Sequence, residues 1–127
     1  MKLLMVSVGA GRYAVAAEAV AKIMDPALDP GFRHEGNSAE AIHDGTRYPV
    51  VEIDPGARGA GGLYLLLGKG GARALMPVDS AESIQDVSGT AIAPLPAFIF
   101  AGARRPVRGI FADGRTPRLL LDLDTFL

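Results

Sequence analysis

Apolar residues come in short blocks cut by glycine, proline and aspartate, a pattern of strands and turns rather than of long helices. Leu3–Val8 is β-prone, Gly9-Ala10-Gly11-Arg12 is turn material and Tyr13-Ala14-Val15 reads as a second strand, so the chain is predicted to open on a hairpin. Good helix formers over Ala17–Met24 put Ala16, Val20, Ile23 and Met24 on one face and predict a short helix, stopped at Asp25-Pro26 because the residue before proline is pushed out of the helical region. Residues 26–37 mix proline, glycine and charge without a period and predict an irregular connector that contributes no core.

The strand pattern resumes at Tyr48–Ile53, entered through Asp44-Gly45 and left through Asp54-Pro55-Gly56. Pro49 lacks a ladder donor, which places it at a sheet edge or a strand start. Gly56–Gly62 reads as a flexible crossing between two halves, and Leu63–Leu67 and Ala72–Val78 as a hairpin around Gly68-Lys69-Gly70-Gly71. Ser80–Ile84 fits a helical turn or a bent strand equally. Ile92–Phe100 is held extended by Pro94 and Pro96. Val107–Phe111 and Leu119–Leu127 flank a turn at Ala112–Arg115, and the second run is apolar enough to be buried on both faces, so the tail is expected to close the core. Turn signals about every 8–12 residues predict a mostly β protein, sandwich or barrel.

Composition narrows the classes. At 127 residues the chain is read as one domain with a sizeable core. The absence of cysteine fits a reducing compartment and excludes thiol chemistry and iron-sulfur clusters. A net charge of -1, with Arg104-Arg105-Pro106-Val107-Arg108 as the only basic cluster, argues against nucleic acid and anionic lipid. No apolar run of about 18 residues is present to span a bilayer, and Met1–Val8 is too short and too soon followed by a turn for a signal peptide. The expectation is a cytoplasmic protein without direct membrane contact.

Catalytic motifs are weak. Gly9-Ala10-Gly11-Arg12-Tyr13-Ala14 satisfies the dinucleotide pattern, with Asp29 downstream as the ribose acid. Asp29, however, sits between Pro26 and Pro30 rather than at a strand end, and no further strand-helix units follow, so a plain hairpin turn is preferred. Gly62–Gly70 departs from a phosphate loop in spacing and in having Gly70 where a hydroxyl would bind magnesium. His34 and His43 have neither cysteine nor helical spacing for a metal site and read as surface residues. Asp122 and Asp124 alternate with leucine on one strand face, where solvated carboxylates are preferred over a catalytic pair. The residues point to no catalytic, cofactor or metal site.

The order of the pieces resembles the CheW-like domain family, the adaptors of bacterial chemosensory arrays, over Leu3–Leu127. The resemblance rests on Tyr13-Ala14-Val15 after the first strand; Val20 and Ile23; Gly45 followed by Pro49-Val50-Val51-Glu52-Ile53; Val78-Asp79; Pro94-Leu95-Pro96; Val107-Arg108-Gly109-Ile110; and Leu120-Leu121-Asp122-Leu123-Asp124. It implies two intertwined, small, five-stranded SH3-like β-barrels with a short helix, packed around a hydrophobic join. The first barrel would span about 13–59 and the second about 1–12 plus 61–127. It also implies a non-catalytic, cofactor-free adaptor that couples the cytoplasmic tip of a methyl-accepting chemoreceptor to the regulatory domain of a CheA-type histidine kinase, and that meets other CheW-like proteins.

Departures from the family pattern gather at positions associated with partner contact: Val20 is kept, but Lys22 stands where the family has Glu, Ala39 where it has Gly, and Asp44 where it has Arg. The exchange suggests a Lys22–Asp44 ion pair of reversed polarity and a partner choice different from the family's. Val50, Ile53, Phe98, Phe100, Val107 and Ile110 are apolar candidates for the partner surfaces, or else core. Two alternatives stand beside the adaptor: a relative uncoupled from receptors that binds only a kinase or another adaptor, and, from another class, a small nucleotide-binding enzyme using Gly9–Ala14.

Overall fold

The computed structural model describes residues 1–35, 38–53, 62–94 and 107–127. Along them run β1 (Lys2–Val8), β2 (Gly11–Ala16), a 3-10 turn (Ala17–Ala19), β3 (Val20–Met24), β4 (Phe32–Arg33), β5 (Glu40–His43), β6 (Thr46–Pro49), β7 (Leu63–Lys69), β8 (Ala72–Val78), β9 (Ser80–Asp86), a 3-10 turn (Gly89–Ala91), β10 (Val107–Asp113), β11 (Thr116–Leu121) and a closing 3-10 turn (Leu123–Thr125). The expected hairpins form where turn chemistry allows. Asp44 (φ 49°) and Gly45 (φ 82°) make a two-residue turn between paired His43 and Thr46, and Gly70 (φ 57°) and Gly71 (φ 87°) do the same between Lys69 and Ala72. Positive φ at both central residues matches the right-handed twist of the strands, which is why Asp-Gly and Gly-Gly occur there.

The strands form a five-stranded sheet in the order β10-β11-β2-β1-β9 and two three-stranded sheets, β3-β7-β8 and β4-β5-β6. All named pairings are antiparallel except β11 with β2, where Leu119 and Leu120 lie opposite Tyr13 and Ala14. Past Pro49 the chain meets β8 through a parallel bridge, Val50 to Leu75. Pro49 is therefore at the end of an edge strand, where its missing N–H costs no ladder bond.

Strand alternation sorts the apolar side chains into three clusters. On β1, Leu4, Val6 and Val8 face one side of the large sheet; they pack with Val15, Leu65, Leu67, Met76, Val78, Leu121 and Leu123. Leu3 and Met5 face the other side, with Ala14, Phe111 and Leu120. The β3-β7-β8 sheet is likewise covered twice, because Leu66 and Leu75 turn away from the first cluster to join Met24, Phe32 and Ala41. The first cluster is thus the hydrophobic join between two halves that each enclose a smaller core. Leu120 and Leu121, adjacent and both buried, serve different clusters, which is the two-faced burial expected of the closing strand. Each such leucine, fully buried, contributes about 1.5–3 kcal/mol.

Strand pairing crosses the stretches 13–59 and 1–12 plus 61–127. β2 pairs with β1 and β11, and β7 pairs with β3. The short helix is the main correction: only Ala17–Ala19 is helical, as a 3-10 turn, and Val20–Met24 is strand β3, paired with β7 from Val20–Leu67 to Met24–Tyr64. A waiting strand edge overrode weak helix propensity, and the β-branched Val20 and Ile23 suit a strand. Ser80–Ile84 resolves as strand. The connector after Pro26 does supply core, since Phe32 is buried and stacks tilted on Tyr64 with ring centroids 4.5 Å apart. The glycine-rich crossing falls almost wholly on residues outside the described ones, as do Leu95–Phe100 and Arg104–Pro106.

Arg118, 4% exposed, is the buried charge among the described residues, and it reaches every strand of the large sheet. From β11 its Nη2 donates to Glu82 Oε2 on β9 at 2.5 Å and its Nε to Asp113 Oδ2 on β10 at 2.8 Å, while Nη1 donates to the carbonyls of Val6 on β1 and Tyr13 on β2 at 3.3 Å. Arg12 also holds Glu82 at 3.2 Å, and Gln85 donates to Asp113 at 3.3 Å. Burial pulls the Arg118 pKa down, but hydrogen bonds and attraction to Glu82 and Asp113 outweigh it and leave the value raised.

Two outcomes follow from this packing. Arg118→Ala strands two half-buried carboxylates and lowers unfolding free energy by about 3 kcal/mol, read by urea denaturation; Glu82→Gln, which leaves Asp113 in place, costs about 1 kcal/mol. A loss below about 0.5 kcal/mol for Arg118→Ala contradicts the role given to it. Gly109→Ala would set its Cβ 2.7 Å from the Ala93 carbonyl oxygen, so it breaks the Ala93–Ile110 bridge and destabilises by about 1–3 kcal/mol in the same assay.

Candidate functional site

The exposed edge of β3 and the hollows beside it form the most featured surface among the described residues. A bulge between Val20 and Lys22 separates their pairing with Leu67 and Leu66, so Val20 is half-buried against the central core while Lys22 and Ile23 stand in solvent. Ile23 is 44% exposed, large for an isoleucine on a strand. Two open depressions of about 290 and 310 Å³ lie by the turn that leads into β3 and share Glu18, Ala19, Gly68 and Lys69; the second reaches β3 itself at Ala21. One continues toward Arg108 and Asp124, the other along the β7–β8 hairpin toward Arg73. Their charges are of mixed sign, and Lys69 pairs with Asp124 at 2.5 Å across the rim. An exposed pair of this kind contributes about 0–1 kcal/mol and orients side chains more than it stabilises.

The sequence-derived positions spread over several elements. Ala39 is exposed, and its carbonyl accepts from Val50 N–H at 2.8 Å, tying the chain after Pro49 back to the start of β5. Asp44 is exposed at the β5–β6 turn. Val50 packs on the Met24–Phe32–Leu75 cluster, while Ile53 and Val107 pack on the central core. Ile110 is half-buried on β10 opposite Leu119. Phe98 and Phe100 lie outside the described residues. Val20, Val50, Ile53 and Val107 are thus engaged in packing, and Lys22, Ala39 and Asp44 are the accessible members.

The Lys22–Asp44 ion pair does not form: among the described residues no ion pair joins the two, and Asp44 Oδ2 lies 3.4 Å from His43 Nε2 instead. Nor are the histidines free surface residues. His34 Nε2 donates to the Ser38 carbonyl at 2.8 Å, so its Nδ1 accepts from the Tyr64 hydroxyl at 2.6 Å, and the two rings meet edge-on. His43 is 11% exposed and held by Asp29 at 2.8 Å.

The enzyme-like motifs fall into ordinary roles. Gly9-Ala10 is the β1–β2 turn, with Gly9 N–H donating to Asp79 at 2.6 Å, and Tyr13-Ala14 continues as strand rather than opening a helix that a pyrophosphate would need. Asp122 caps the closing 3-10 turn through Asp124 N–H, and Asp124 pairs with Lys69, so the two carboxylates make no dyad. Sequence reasoning missed Arg118 and the Asp29–His43 pair; a lone arginine among leucines in the closing strand was the one available signal for the first.

No protein-family model matches the sequence, and no curated protein matches it. The fold is nevertheless defined. A mostly β chain in two halves, joined across a central apolar core and closed by a strand lying parallel to β2, has the CheW-like fold. The crystal structure of the scaffolding protein TtCheW from Thermoanaerobacter tengcongensis matches it with a TM-score of 0.68 at 16% identity, covering 96% of this chain and 84% of that one. At this identity the likeness is one of fold. No helix among the described residues is long and apolar enough to cross a membrane.

Proposed function

We propose that the protein is a non-catalytic chemosensory adaptor of CheW type, which couples a chemoreceptor tip to the regulatory domain of a CheA-type histidine kinase in the cytoplasm. The observation that carries this reading is the match in fold to a scaffolding protein along 96% of the chain. The exposed β3 edge agrees with it, since an edge strand paired on one side only among the described residues, carrying Ile23 beside Lys22, offers both ladder groups and apolar area to a partner. Val20, Lys22, Ala39 and Asp44 are the contact positions proposed by correspondence with the family.

The reversed charges at Lys22 and Asp44 are not spent on each other; Lys22 is open to a partner, whereas Asp44 already lies 3.4 Å from His43 Nε2. A receptor or kinase surface suited to the family's charge order would meet like charge here, and partner choice is set by that mismatch. The test is size-exclusion of the full chain with the kinase regulatory domain and receptor tip from the same organism, followed by titration. Co-elution with both is expected. Lys22→Glu is expected to weaken the cognate complexes about tenfold, more strongly at low salt, with an unchanged unfolding midpoint, because Lys22 is exposed and unpaired among the described residues. Binding to the kinase alone would select the adaptor uncoupled from receptors. Failure with both cognate partners would refute the proposal.

A further inference from the structure

Three metal-ligating side chains converge at the end of the β4-β5-β6 sheet, and neither the fold nor the adaptor reading accounts for their convergence, although Asp44 is also among the contact positions proposed above. His43 Nε2 lies 2.8 Å from Asp29 Oδ2 and 3.4 Å from Asp44 Oδ2, and the ligating atoms of all three residues fall within 4.8 Å of one another. Each is placed by backbone that has little freedom. Asp29 Oδ1 accepts from Gly31 N–H at 3.0 Å, which aims Oδ2 at the imidazole, and Asp29 N–H is itself bound to the Asp25 carbonyl at 3.0 Å. Asp44 sits in the left-handed region at φ 49°, with its N–H on the Gly31 carbonyl at 3.0 Å. Its carboxylate rests on Gly31, where a Cβ would lie 1.9 Å from Oδ1. His43 pairs with Phe32 across β4 and β5, and its ring is nearly enclosed, 11% exposed.

The electrostatics are unbalanced. Two carboxylates address the same ring nitrogen, which carries at most one proton, and among the described residues neither carboxylate has a lysine or arginine partner. A divalent cation in place of that proton answers all three donors at once. Ligands held about 2.0–2.2 Å from a tetrahedral ion stand about 3.3–3.5 Å apart, so the 3.4 Å separation already fits and the 2.8 Å one must open by about 0.5–0.7 Å. An imidazole with two carboxylate oxygens suits a borderline ion such as zinc, nickel or cobalt better than calcium or magnesium, which take oxygen alone.

We propose that Asp29, His43 and Asp44 form a binding site for a divalent cation of the zinc class, with water completing the coordination on the exposed Asp44 side. The bound ion clips the loop around Asp29 to the β5–β6 hairpin. The site shares Asp44 with the proposed contact positions but needs no partner protein, so its test does not depend on the adaptor reading.

The test uses the full chain, purified free of metal, with Zn²⁺ for thermal shift and calorimetry and Co²⁺ for visible absorption. One ion per chain is expected, with the intense visible bands of four-coordinate cobalt and a Tm raised on the order of 10 °C at a hundredfold excess over Kd. Asp29→Asn and Asp44→Asn are the decisive variants. Asparagine keeps the loop hydrogen bond at the first site and tolerates the left-handed turn at the second, while the ligating charge is removed. Each is expected to weaken binding at least tenfold with an unchanged circular dichroism spectrum, as is His43→Gln, whereas His34→Gln leaves binding intact. Absence of saturable binding by the parent chain, equal affinity in the two folded asparagine variants, or loss on His34→Gln overturns the proposal.

Discussion

The large sheet depends on one cation held where water is nearly excluded. Arg118 bonds side chains or carbonyls on all the other strands of that sheet, and its partners come from positions as far apart in sequence as Val6, a separation of 112 residues. Burying a guanidinium is costly unless its nitrogens find acceptors, and here two carboxylates and two carbonyls give each of the three nitrogens at least one. Such a residue constrains register as well as energy. A slip of one residue in β11 would turn Arg118 into an apolar core and send a leucine toward Glu82 and Asp113. The apolar clusters on either face of the sheet would accept several arrangements of leucine, valine and methionine; the arginine accepts one.

Around that fixed sheet the chain economises on layers. β1, β7 and β8 each show apolar side chains to both faces, so a chain of 127 residues builds three clusters from strands that are shared rather than dedicated. Sharing leaves few elements to cover edges. β3, β9 and β10 remain at the margins of their sheets, and they carry different guards: Lys22 and a bulge on β3, Glu82 and a register shift on β9, the Ala93 bridge on β10. Two of these margins expose an isoleucine, Ile23 on β3 and Ile84 on β9, and on β3 it stands beside Lys22, which has no ion-pair partner among the described residues.

Much of the β architecture could be read before the structure, because turn chemistry is local. Asp44-Gly45 and Gly70-Gly71 can adopt positive φ cheaply, and they sit where strand patterns stop and restart, so those hairpins were visible in four or five residues. The segment Ala17–Met24 was not legible, since its helix formers and its β-branched residues are nearly balanced and the deciding partner, β7, lies some forty residues downstream. Phe32 was hidden for the same reason: nothing near it in sequence announces Tyr64. The contact positions were legible as departures from a family pattern, but whether they meet one another was not. The Lys22–Asp44 pairing inferred from opposite signs failed because charge says nothing about reach, and Asp44 had a nearer neighbour in His43.

The parallel register of β11 against β2 also bears on how the molecule is made. β2 emerges early and gains β1 at once through a two-residue turn, but its other side stays open until Leu119 and Leu120 arrive about a hundred residues later. At a synthesis rate of about 5–20 residues per second the first hairpin waits on the order of ten seconds with an unfilled flank. Contacts so distant in sequence also make for slow closure once the chain is released. The nascent protein therefore spends its most adhesive interval with the central strand of its largest sheet exposed, and the step that ends this interval is the docking of its last strand.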